Sequence, residues 1–327
     1  MPIALVTGGS GFLGLHVCKA LKDKGWDVRS LNRSYSSQLD AIEVEQYLGD
    51  VCLKDDLLKA SHGVDASYHL AGQVSRDPLH AGSMFKLHLK GTQNWIECLQ
   101  ELKIQQALYM STSGVVGVHE DEQCATEESP LAWKYIRQWP YYESKGMAEE
   151  CVWRACKSGL PIKIARPSLF LGPGDPTGGS HDDVLTFLGG DVKAALPGGL
   201  SAVDVRDVAN FLPTLMEKGQ PGIGYLLGGR NLTIRSFLNQ LAQISGVTAP
   251  LLDLPLDLTN KAQGVLKWIS KQSMFGGIDP KTFEMGCHFW YVDSSLAESL
   301  GFSPRPLSET LVDALNDLEN RGFWRRD

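Results

Sequence analysis

A tyrosine and a lysine stand four residues apart, at Tyr141 and Lys145, at the start of a stretch that predicts a helix over residues 142–158. Side chains four apart lie on one face of a helix, so the phenol and the ammonium would be neighbours. A free tyrosine has a pKa near ~10, and a nearby cation favours the phenolate and lowers that pKa. Tyr141 would then serve as a general acid and base at neutral pH. The pair alone is weak evidence, because chance matches to this spacing are common.

Three consecutive hydroxyl side chains, Ser111, Thr112 and Ser113, directly follow a stretch that predicts a strand over residues 106–110. Ligands bind at the carboxyl ends of the strands in open parallel sheets. One of these hydroxyls is therefore a candidate to hold a substrate oxygen beside Tyr141. The alternative interpretation is a turn that is rich in hydroxyl groups.

A glycine-rich turn lies near the start of the chain, between a predicted buried strand over residues 3–6 and a predicted helix from Phe12. Gly8, Gly9, Gly11 and Gly14 satisfy two closely related spacings that are typical of dinucleotide binding. The first glycines permit a tight bend, the middle one lets the backbone approach a pyrophosphate, and the last lets the helix pack closely on the strand. The pyrophosphate then lies against free N–H groups at the helix start. An ordinary strand-to-helix loop is the alternative, and the second strand that follows favours the nucleotide.

Predicted strands and helices alternate through the first half of the chain and carry these groups. Alternation of this kind gives a parallel sheet with helices on both faces. The predicted fold class is therefore α/β, a Rossmann doubly wound parallel sheet. The remaining predicted strands cover residues 27–31, 44–48, 66–70, 106–110 and 161–165, and the remaining predicted helices cover residues 53–60 and 85–102.

Glycine and proline clusters at residues 172–179 and 197–199 interrupt this alternation in the second half. We expect a smaller C-terminal substrate lobe there, which closes over the nucleotide. Its aromatic residues, such as Phe275, Phe283 and Trp290, fit a core or a pocket equally well. The expected dinucleotide-binding domain covers residues 1–170, with residues 203–228 returning to it, and the expected lobe covers residues 171–202 and 229–327.

Composition and net charge limit the classes of partner that the protein is expected to bind. A net charge of −7 and the absence of a long basic run argue against nucleic acid. No apolar run approaches the ~20 residues of a membrane span. The first residues lead straight into a strand with no charged and apolar leader, so we expect a cytoplasmic location. The seven cysteines form no C-x-x-C pair, so we expect reduced thiols and no metal site.

An amphipathic helix is predicted after residue 258, with Val265, Leu266, Trp268 and Ile269 on its apolar side. A helix that lies on a membrane surface is one interpretation, and it would suit an enzyme that takes lipid-like substrates. The polar side is not strongly basic, so packing in the core or in a lid is favoured.

The chain resembles the extended short-chain dehydrogenase/reductase family, also described as NAD-dependent epimerase/dehydratase-like. The resemblance covers nearly the whole chain, and its motifs are jointly very specific. They are Thr7 to Gly14, Gly49-Asp50-Val51, His69-Leu70-Ala71-Gly72, Gly91-Thr92-Gln93-Asn94, Ser111-Thr112-Ser113, Tyr141-x-x-x-Lys145, Arg166-Pro167 with Gly172-Pro173, and Val203 to Ala209.

The resemblance implies a role for each matching residue. Thr112 falls at the position of the catalytic serine or threonine, with Ser111 and Ser113 as near alternatives. Tyr141 would donate and accept the proton, and Lys145 would bind the nicotinamide ribose and depress the pKa of the tyrosine. Asp50 and Val51 would meet the adenine, Leu70 and Ala71 the middle of the cofactor, and Ser168 the nicotinamide end. The implied cofactor-binding set is Gly8, Gly11, Phe12, Leu13, Gly14, Arg33, Asp50, Val51, Leu70, Ala71, Lys145 and Ser168.

Two positions depart from the family pattern. NAD-users of the family keep an aspartate where this chain has Asn32, followed by Arg33. A carboxylate there would repel a 2′-phosphate, whereas a guanidinium pairs with it bidentately, so NADP(H) is favoured and NAD(H) stays possible. His88 stands where the family usually has asparagine, which puts a proton-relay role there in doubt and favours a structural histidine.

The stretch Arg166-Pro167-Ser168-Leu169 resembles the dihydroflavonol-reductase and hydroxysteroid-dehydrogenase branch of the family. That branch implies an NADP(H)-dependent oxidoreductase that reduces a ketone, or oxidises a secondary alcohol, on a small and largely apolar substrate. An NAD-dependent nucleotide-sugar epimerase or dehydratase is the alternative, and a non-catalytic nucleotide-sensing protein is less favoured because both Tyr141 and Lys145 are present. The family also implies a homodimer through residues 85–102 and 142–158.

Overall fold

Seven parallel strands form the central sheet of the computed structural model, which describes residues 1–176, 179–255 and 280–325. The predicted amphipathic helix with Trp268, and Phe275 with it, lie outside these residues. The strands, numbered in chain order, are β1 Ile3–Thr7, β2 Asp27–Asn32, β3 Glu45–Leu48, β4 Ala66–His69, β5 Gln106–Met110, β6 Cys124–Ala125, β7 Ile162–Pro167, β8 Leu169–Leu171, β9 Ala194–Ala195, β10 Gly199–Asp204, β11 Gly224–Leu227, β12 Arg230–Thr233, β13 Leu252–Asp253 and β14 Phe289–Val292.

Helices cover both faces of this sheet. The α-helices, numbered in chain order, are α1 Phe12–Asp23, α2 Ser37–Asp40, α3 Lys54–Ser61, α4 Ala81–Phe85, α5 Gly91–Leu102, α6 Trp133–Ile136, α7 Pro140–Lys157, α8 Asp182–Leu188, α9 Val205–Lys218, α10 Ile234–Ser245, α11 Pro280–Met285, α12 Ser295–Ser299 and α13 Leu307–Asn320. Side chains alternate across β1: Leu5 packs with Trp95 and Val152, whereas Val6 packs on the other face with Val17.

The order of the central sheet is β11-β7-β5-β4-β1-β2-β3, which confirms the predicted Rossmann doubly wound fold. The chain first runs outward from β1 to β3 and then crosses to β4 on the other side of β1. Such a reversal opens a crevice at the carboxyl ends of the two strands, where ligands bind in this class of sheet. Thr7 and His69 are register partners at that point.

Two helices differ from their predicted bounds near the site. The single helix predicted over residues 85–102 is instead α4, a π-helical turn over Lys86–Lys90, and α5. The helix predicted from residue 142 begins at Pro140, because proline is favoured in the first turn, where its missing N–H costs nothing. Tyr141 therefore lies inside the first turn of α7.

A second sheet stands beside the first, in the order β12-β10-β14-β6, with β8 also paired to β10. Strand β6 comes from within the first 170 residues, and β11 returns to the central sheet as its last strand. The division into a nucleotide domain and a lobe at the predicted boundaries stays a prediction.

Three findings concern only the described parts of the chain. No helix there is long and apolar enough to cross a membrane. No group of three or more histidine, cysteine, aspartate or glutamate side chains there is placed to hold a metal ion. No disulfide joins any of the seven cysteines, all of which lie in those parts.

Candidate active site

The glycine-rich turn brings the start of α1 close to the end of β1. Gly8 has a φ of +74°, which glycine adopts without strain, and its N–H donates to Leu31 O at 3.2 Å. A Cβ atom at Gly14 would stand 2.1 Å from Gly8 O, and one at Gly8 would stand 2.9 Å from the Cα of Ala71. Only glycine fits either position while the backbone keeps this course.

The first N–H groups of α1 have no capping side chain. Gly11 is the N-cap residue, and the helix starts at Phe12, so the N–H groups of Phe12, Leu13 and Gly14 face the crevice without a partner within the helix. The positive end of the helix dipole and these donors suit an anion such as a pyrophosphate. The turn and helix start therefore fit the dinucleotide that the sequence predicts.

Thr7 links the ends of β1 and β4. Its side-chain oxygen accepts from the N–H of Ala71 at 3.3 Å and lies 2.9 Å from Nδ1 of His69. His69 is buried, and that burial lowers its pKa to about 3, so the ring is neutral. These bonds fix Leu70 and Ala71 beside the glycine-rich turn, where the middle of the cofactor is expected.

The ends of β2 and β3 define the opposite side of the crevice. Asn32 is buried, and its Oδ1 accepts from Ser10 N–H at 3.2 Å, which ties this residue to the glycine-rich turn. Arg33 is exposed, and its charge acts on the thiol of Cys52. Asp50 Oδ1 accepts from the N–H of Cys52 at 2.9 Å. The ends of these two strands are where the adenine end of the cofactor is expected.

Val51 and Ser168 occupy the two ends of the predicted cofactor path. Val51 is buried and lies close to Gly91. A Cβ atom added at Gly91 would stand 3.0 Å from Cγ2 of Val51. Ser168 follows β7, and its N–H and its hydroxyl both donate to Leu227 O, at 3.1 and 3.5 Å. The hydroxyl of Ser168 is therefore directed at the neighbouring strand.

Thr112 and Tyr141 meet at the carboxyl end of β5. The Thr112 hydroxyl lies close enough to the Tyr141 phenol to act on it, and its influence lowers the pKa of Tyr141. Thr112 also caps the short 3-10 turn Ser113–Val115 by accepting from Gly114 N–H at 3.3 Å. Both side chains are only half-buried, so a substrate oxygen can reach them.

The phenol of Tyr141 stays protonated in this arrangement. Burial raises the pKa of Tyr141, with a further rise from Tyr142, and the influence of Thr112 only partly offsets this. The Lys145 ammonium donates to Met110 O at 2.9 Å, and the expectation that its charge lowers the pKa of Tyr141 once the cofactor is bound stays a prediction. A protonated phenol is the form that donates a proton to a developing alkoxide.

Lys145 is a buried cation with a depressed pKa. Desolvation lowers its pKa to about 8, and the carboxylate of Glu149 acts in the opposite direction. The bond to Met110 O uses one of the three ammonium N–H donors. A Cβ atom at Gly72 would stand 3.5 Å from Nζ, so the ammonium faces the segment that follows β4.

The alternatives to Thr112 have other partners or less access. Ser111 donates through its hydroxyl to Glu149, and Ser113 is buried. Glu149 in turn binds the guanidinium of Arg166, whose Nη2 lies 2.6 Å from Oε1. Both charged side chains have 0% exposure. Of the three hydroxyls, Thr112 is the one that the structure brings to Tyr141.

Aromatic rings extend from Tyr141 toward the second sheet. The ring centroid of Tyr142 lies 4.9 Å from those of Tyr141 and of Trp290 on β14. Trp139 packs against Trp290 at 5.3 Å. The space beside the phenol is therefore bordered by apolar rings.

Sequence reasoning missed Glu149 and the segment that carries Gln73 and Arg76. Glu149 had a usable signal, because it stands four residues after Lys145 on the buried face of the same helix, where a carboxylate needs a partner. The Arg76 guanidinium forms two bonds of 2.6 Å with the carboxylate of Asp183 on α8. No local pattern in the sequence indicates that pairing.

Comparison with known proteins identifies the family. Residues 4–228 match the model of the NAD dependent epimerase/dehydratase family. A protein of Synechocystis sp. that is provisionally named dihydroflavonol 4-reductase is 30% identical over 97% of this chain and 95% of its own length. The 2-alkyl-3-oxoalkanoate reductase of Stenotrophomonas maltophilia is 30% identical over 76% of this chain and 77% of its own. The crystal structure of gox2253 is 29% identical, covers 99% of this chain and 100% of its own, and superposes with a TM-score of 0.85.

The first prediction concerns the buried pair behind the site. Replacing Glu149 with Gln leaves the Arg166 guanidinium buried without a counter-charge, which costs about 3–5 kcal/mol in the free energy of unfolding. Glu150→Gln is the matched control, because Glu150 lies on the same helix and pairs with Arg154 at 3.9 Å in an exposed position. That change costs at most about 1 kcal/mol. Urea denaturation measures both, and equal losses would contradict the assignment.

Proposed function

We propose that this chain, which belongs to the NAD dependent epimerase/dehydratase family, is an NADP(H)-dependent oxidoreductase that reduces a ketone or oxidises a secondary alcohol. The observation that carries the proposal is the placement of Tyr141 and Lys145 on one face at the start of α7, with the Lys145 ammonium donating to Met110 O at the end of β5, directly before the hydroxyls of residues 111–113. Two adjacent hydroxyl donors suit one carbonyl oxygen. Lys145, one helical turn beyond Tyr141, supplies a cation beside them.

In the reductive direction, Tyr141 delivers its phenolic proton to the substrate oxygen while the hydroxyl of Thr112 holds that oxygen by a hydrogen bond. A bound nicotinamide supplies the hydride. Lys145 binds the ribose of the cofactor, and its charge stabilises the phenolate that remains on Tyr141. In the oxidative direction, the phenolate takes the proton from the alcohol.

The proposed cofactor-binding residues are Gly8, Gly11, Phe12, Leu13, Gly14, Arg33, Asp50, Val51, Leu70, Ala71, Lys145 and Ser168. The uncapped start of α1 supports the pyrophosphate end. The exposed guanidinium of Arg33 supports a 2′-phosphate, because Asn32 beside it carries no charge that would repel one. NADP(H) is therefore the proposed cofactor.

The substrate is proposed to be small and largely apolar. The rings of Tyr142 and Trp290 border the phenol of Tyr141 and offer apolar contact area. The names of two similar proteins refer to a dihydroflavonol and to 2-alkyl-3-oxoalkanoates, which supports a ketone on an apolar skeleton. A nucleotide-sugar substrate is less favoured, because Arg166 is buried in an ion pair with Glu149 and is therefore not available to bind the diphosphate of such a substrate.

The second prediction concerns the cofactor. The protein should bind NADPH at least several-fold more tightly than NADH, because Arg33 pairs with the 2′-phosphate. Arg33→Asp should reverse that order. Lys24→Asp is the control, because it makes the same change of charge at the far end of α1 and should leave the preference intact. Calorimetry that gives equal affinities for the two cofactors in the parent protein would refute the role of Arg33.

The third prediction concerns the catalytic groups, with a ketone that the parent reduces and NADPH absorbance as the readout. Tyr141→Phe should lower kcat by roughly 10² to 10⁴ with little change in NADPH affinity, because only proton transfer is lost. Lys145→Ala should weaken both cofactor affinity and rate. Thr112→Ser should be mild and Thr112→Val severe.

Tyr142→Phe is the control for Tyr141→Phe, since it removes the neighbouring phenol and keeps both rings. It should change kcat by less than about tenfold, a smaller effect than general acid catalysis supplies. Full activity of Tyr141→Phe would make another group the proton donor, and Tyr142 and His88 would be the first to examine.

The fourth prediction concerns assembly, and we propose a homodimer through residues 85–102 and 142–158. The exposed side of α5 carries Glu97 and Glu101, and both carboxylates lie 3.1 Å from the ammonium of Lys54 at the start of α3. Light scattering at micromolar concentration should give twice the mass of one 35.8 kDa chain. The mass of a single chain would contradict the proposal. The cytoplasmic location and the two-domain division also stay proposals.

A further inference from the structure

His88 lies at the centre of a π-helical turn between two helices. The turn covers Lys86–Lys90, and His88 is 1% exposed. Turns of this kind insert an extra residue into a helix and often occur at functional sites. Here the turn directs the imidazole between the segment after β4 and the first turn of α7.

Both ring nitrogens of His88 have partners, and the direction of each bond can be worked out. The backbone N–H of Gln73 donates to Nε2 at 3.1 Å, and a backbone amide can only donate, so Nε2 carries no proton. The proton of the neutral ring is therefore on Nδ1, which lies 2.8 Å from Oγ of Ser144 and donates to it. The Ser144 hydroxyl then donates to Tyr141 O at 2.8 Å. One chain of bonds thus runs from Gln73 to the backbone of Tyr141.

The surroundings hold the ring neutral. Burial, and then the charge of Lys145, lower the pKa of His88 to about 2, with a smaller effect from His69. A proton on Nε2 would point at the N–H of Gln73. A proton can leave Nδ1 only toward Ser144, whose own hydroxyl proton is committed to a carbonyl oxygen that does not accept a proton at neutral pH.

We propose that His88 is a positioning residue that fixes the segment after β4 against the first turn of α7, and that it takes no part in proton transfer. This inference rests on the proposed function for its kinetic consequences only. The bond pattern itself is independent of the reaction.

The segment that His88 holds borders the catalytic groups. A Cβ atom at Gly72 would stand 3.5 Å from His88 Nε2 and 3.5 Å from Lys145 Nζ, so the backbone passes directly over the ammonium. The imidazole also meets the ring of Tyr141 edge to face, with centroids 5.8 Å apart. His88 therefore sets the positions of both Tyr141 and the backbone that covers Lys145.

The far end of the same segment is fixed to the substrate side. Arg76, three residues after Gln73, holds Asp183 on α8 through two bonds of 2.6 Å and lies 3.4 Å from the hydroxyl of Thr282. The segment is thus fastened at Gln73 by His88 and at Arg76 by Asp183. Loss of the bond between His88 and Gln73 would therefore free the Gln73 end of the segment, which lies nearer to the expected cofactor site.

Two substitutions separate the two bonds of the ring. An asparagine amide nitrogen occupies the place of Nδ1, so His88→Asn keeps a donor for Ser144 and loses the acceptor for Gln73. A glutamine oxygen reaches the place of Nε2, so His88→Gln keeps the acceptor for Gln73 and loses the donor for Ser144. His62→Asn, at an exposed position after α3, is the control for a general effect of histidine loss.

Hydrogen exchange of the Gln73 amide gives a readout that needs no activity. Exchange should be about fivefold faster in His88→Asn than in the parent, and unchanged in His88→Gln and in His62→Asn, since a hydrogen bond is worth about 1 kcal/mol. Equal exchange in the parent and in His88→Asn would overturn the inference. If the parent reduces no ketone, the proposed function fails and this test still decides the role of His88.

Kinetics separate positioning from proton relay. His88→Asn should raise KM for NADPH, because it loosens the segment after β4 that covers Lys145. His88→Gln should lower kcat at nearly constant KM, because it loosens the first turn of α7, which carries Tyr141. The shape of the pH–rate profile should be unchanged in both, and added imidazole should restore nothing. A changed profile together with rescue by imidazole would establish a relay and overturn the inference.

Nitrogen NMR of the parent protein keeps the test decisive if the variants do not fold. The ring of His88 should show a proton on Nδ1 and no titration between about pH 5 and pH 8. A proton on Nε2, or titration in that range, would overturn the inference.

Discussion

The buried ion pair between Glu149 and Arg166 joins the elements that carry the catalytic groups. Removing two ions from water costs several kcal/mol each, so the pair persists only because every polar atom finds a partner. Glu149 accepts from Ser111 at the end of β5, and Arg166 donates to Gly224 O on β11 at 3.5 Å. A Cβ atom at Gly224 would stand 2.4 Å from the guanidinium, so a glycine is needed at this position to leave space for the Arg166 side chain. The pair thus fastens α7 to three neighbouring strands of the sheet.

The same carboxylate balances the charge of Lys145. Burial alone disfavours the ammonium, and Glu149, four residues along the helix, favours it, so the pKa is lowered to about 8 and no further. Lys145 is therefore charged at neutral pH in a place that excludes water. Burial and the neighbouring Tyr142 raise the pKa of Tyr141, and the influence of Thr112 only partly opposes them. The outcome is a protonated acid beside a charged lysine, which suits delivery of a proton to a reduced carbonyl.

Features with a local signal could be predicted from the sequence, and features made by distant pairing could not. The glycine spacing, the parallel strands and the shared helix face of Tyr141 and Lys145 each follow from a short pattern, and the fold was predicted correctly on that basis. The second sheet was not predicted, because strands of two to six residues such as β6 and β14 pair across more than 160 positions. The π-helical turn at His88 was missed for a related reason: the partners of its histidine, Gln73 and Ser144, are distant in the chain, and no periodicity of the sequence indicates them.

The choice among Ser111, Thr112 and Ser113 shows how structure completes a reading of sequence. All three have the chemistry to hold a substrate oxygen, and spacing from Tyr141 does not separate them. What separates them is burial and bonding: Ser111 is buried and donates its proton to Glu149, Ser113 is buried, and Thr112 is half-buried and acts on the pKa of Tyr141. A hydroxyl that already serves a buried carboxylate would leave a charge unsatisfied if it turned to a substrate. Ser111 is therefore committed to the buried carboxylate, which favours Thr112 for the proposed catalytic role.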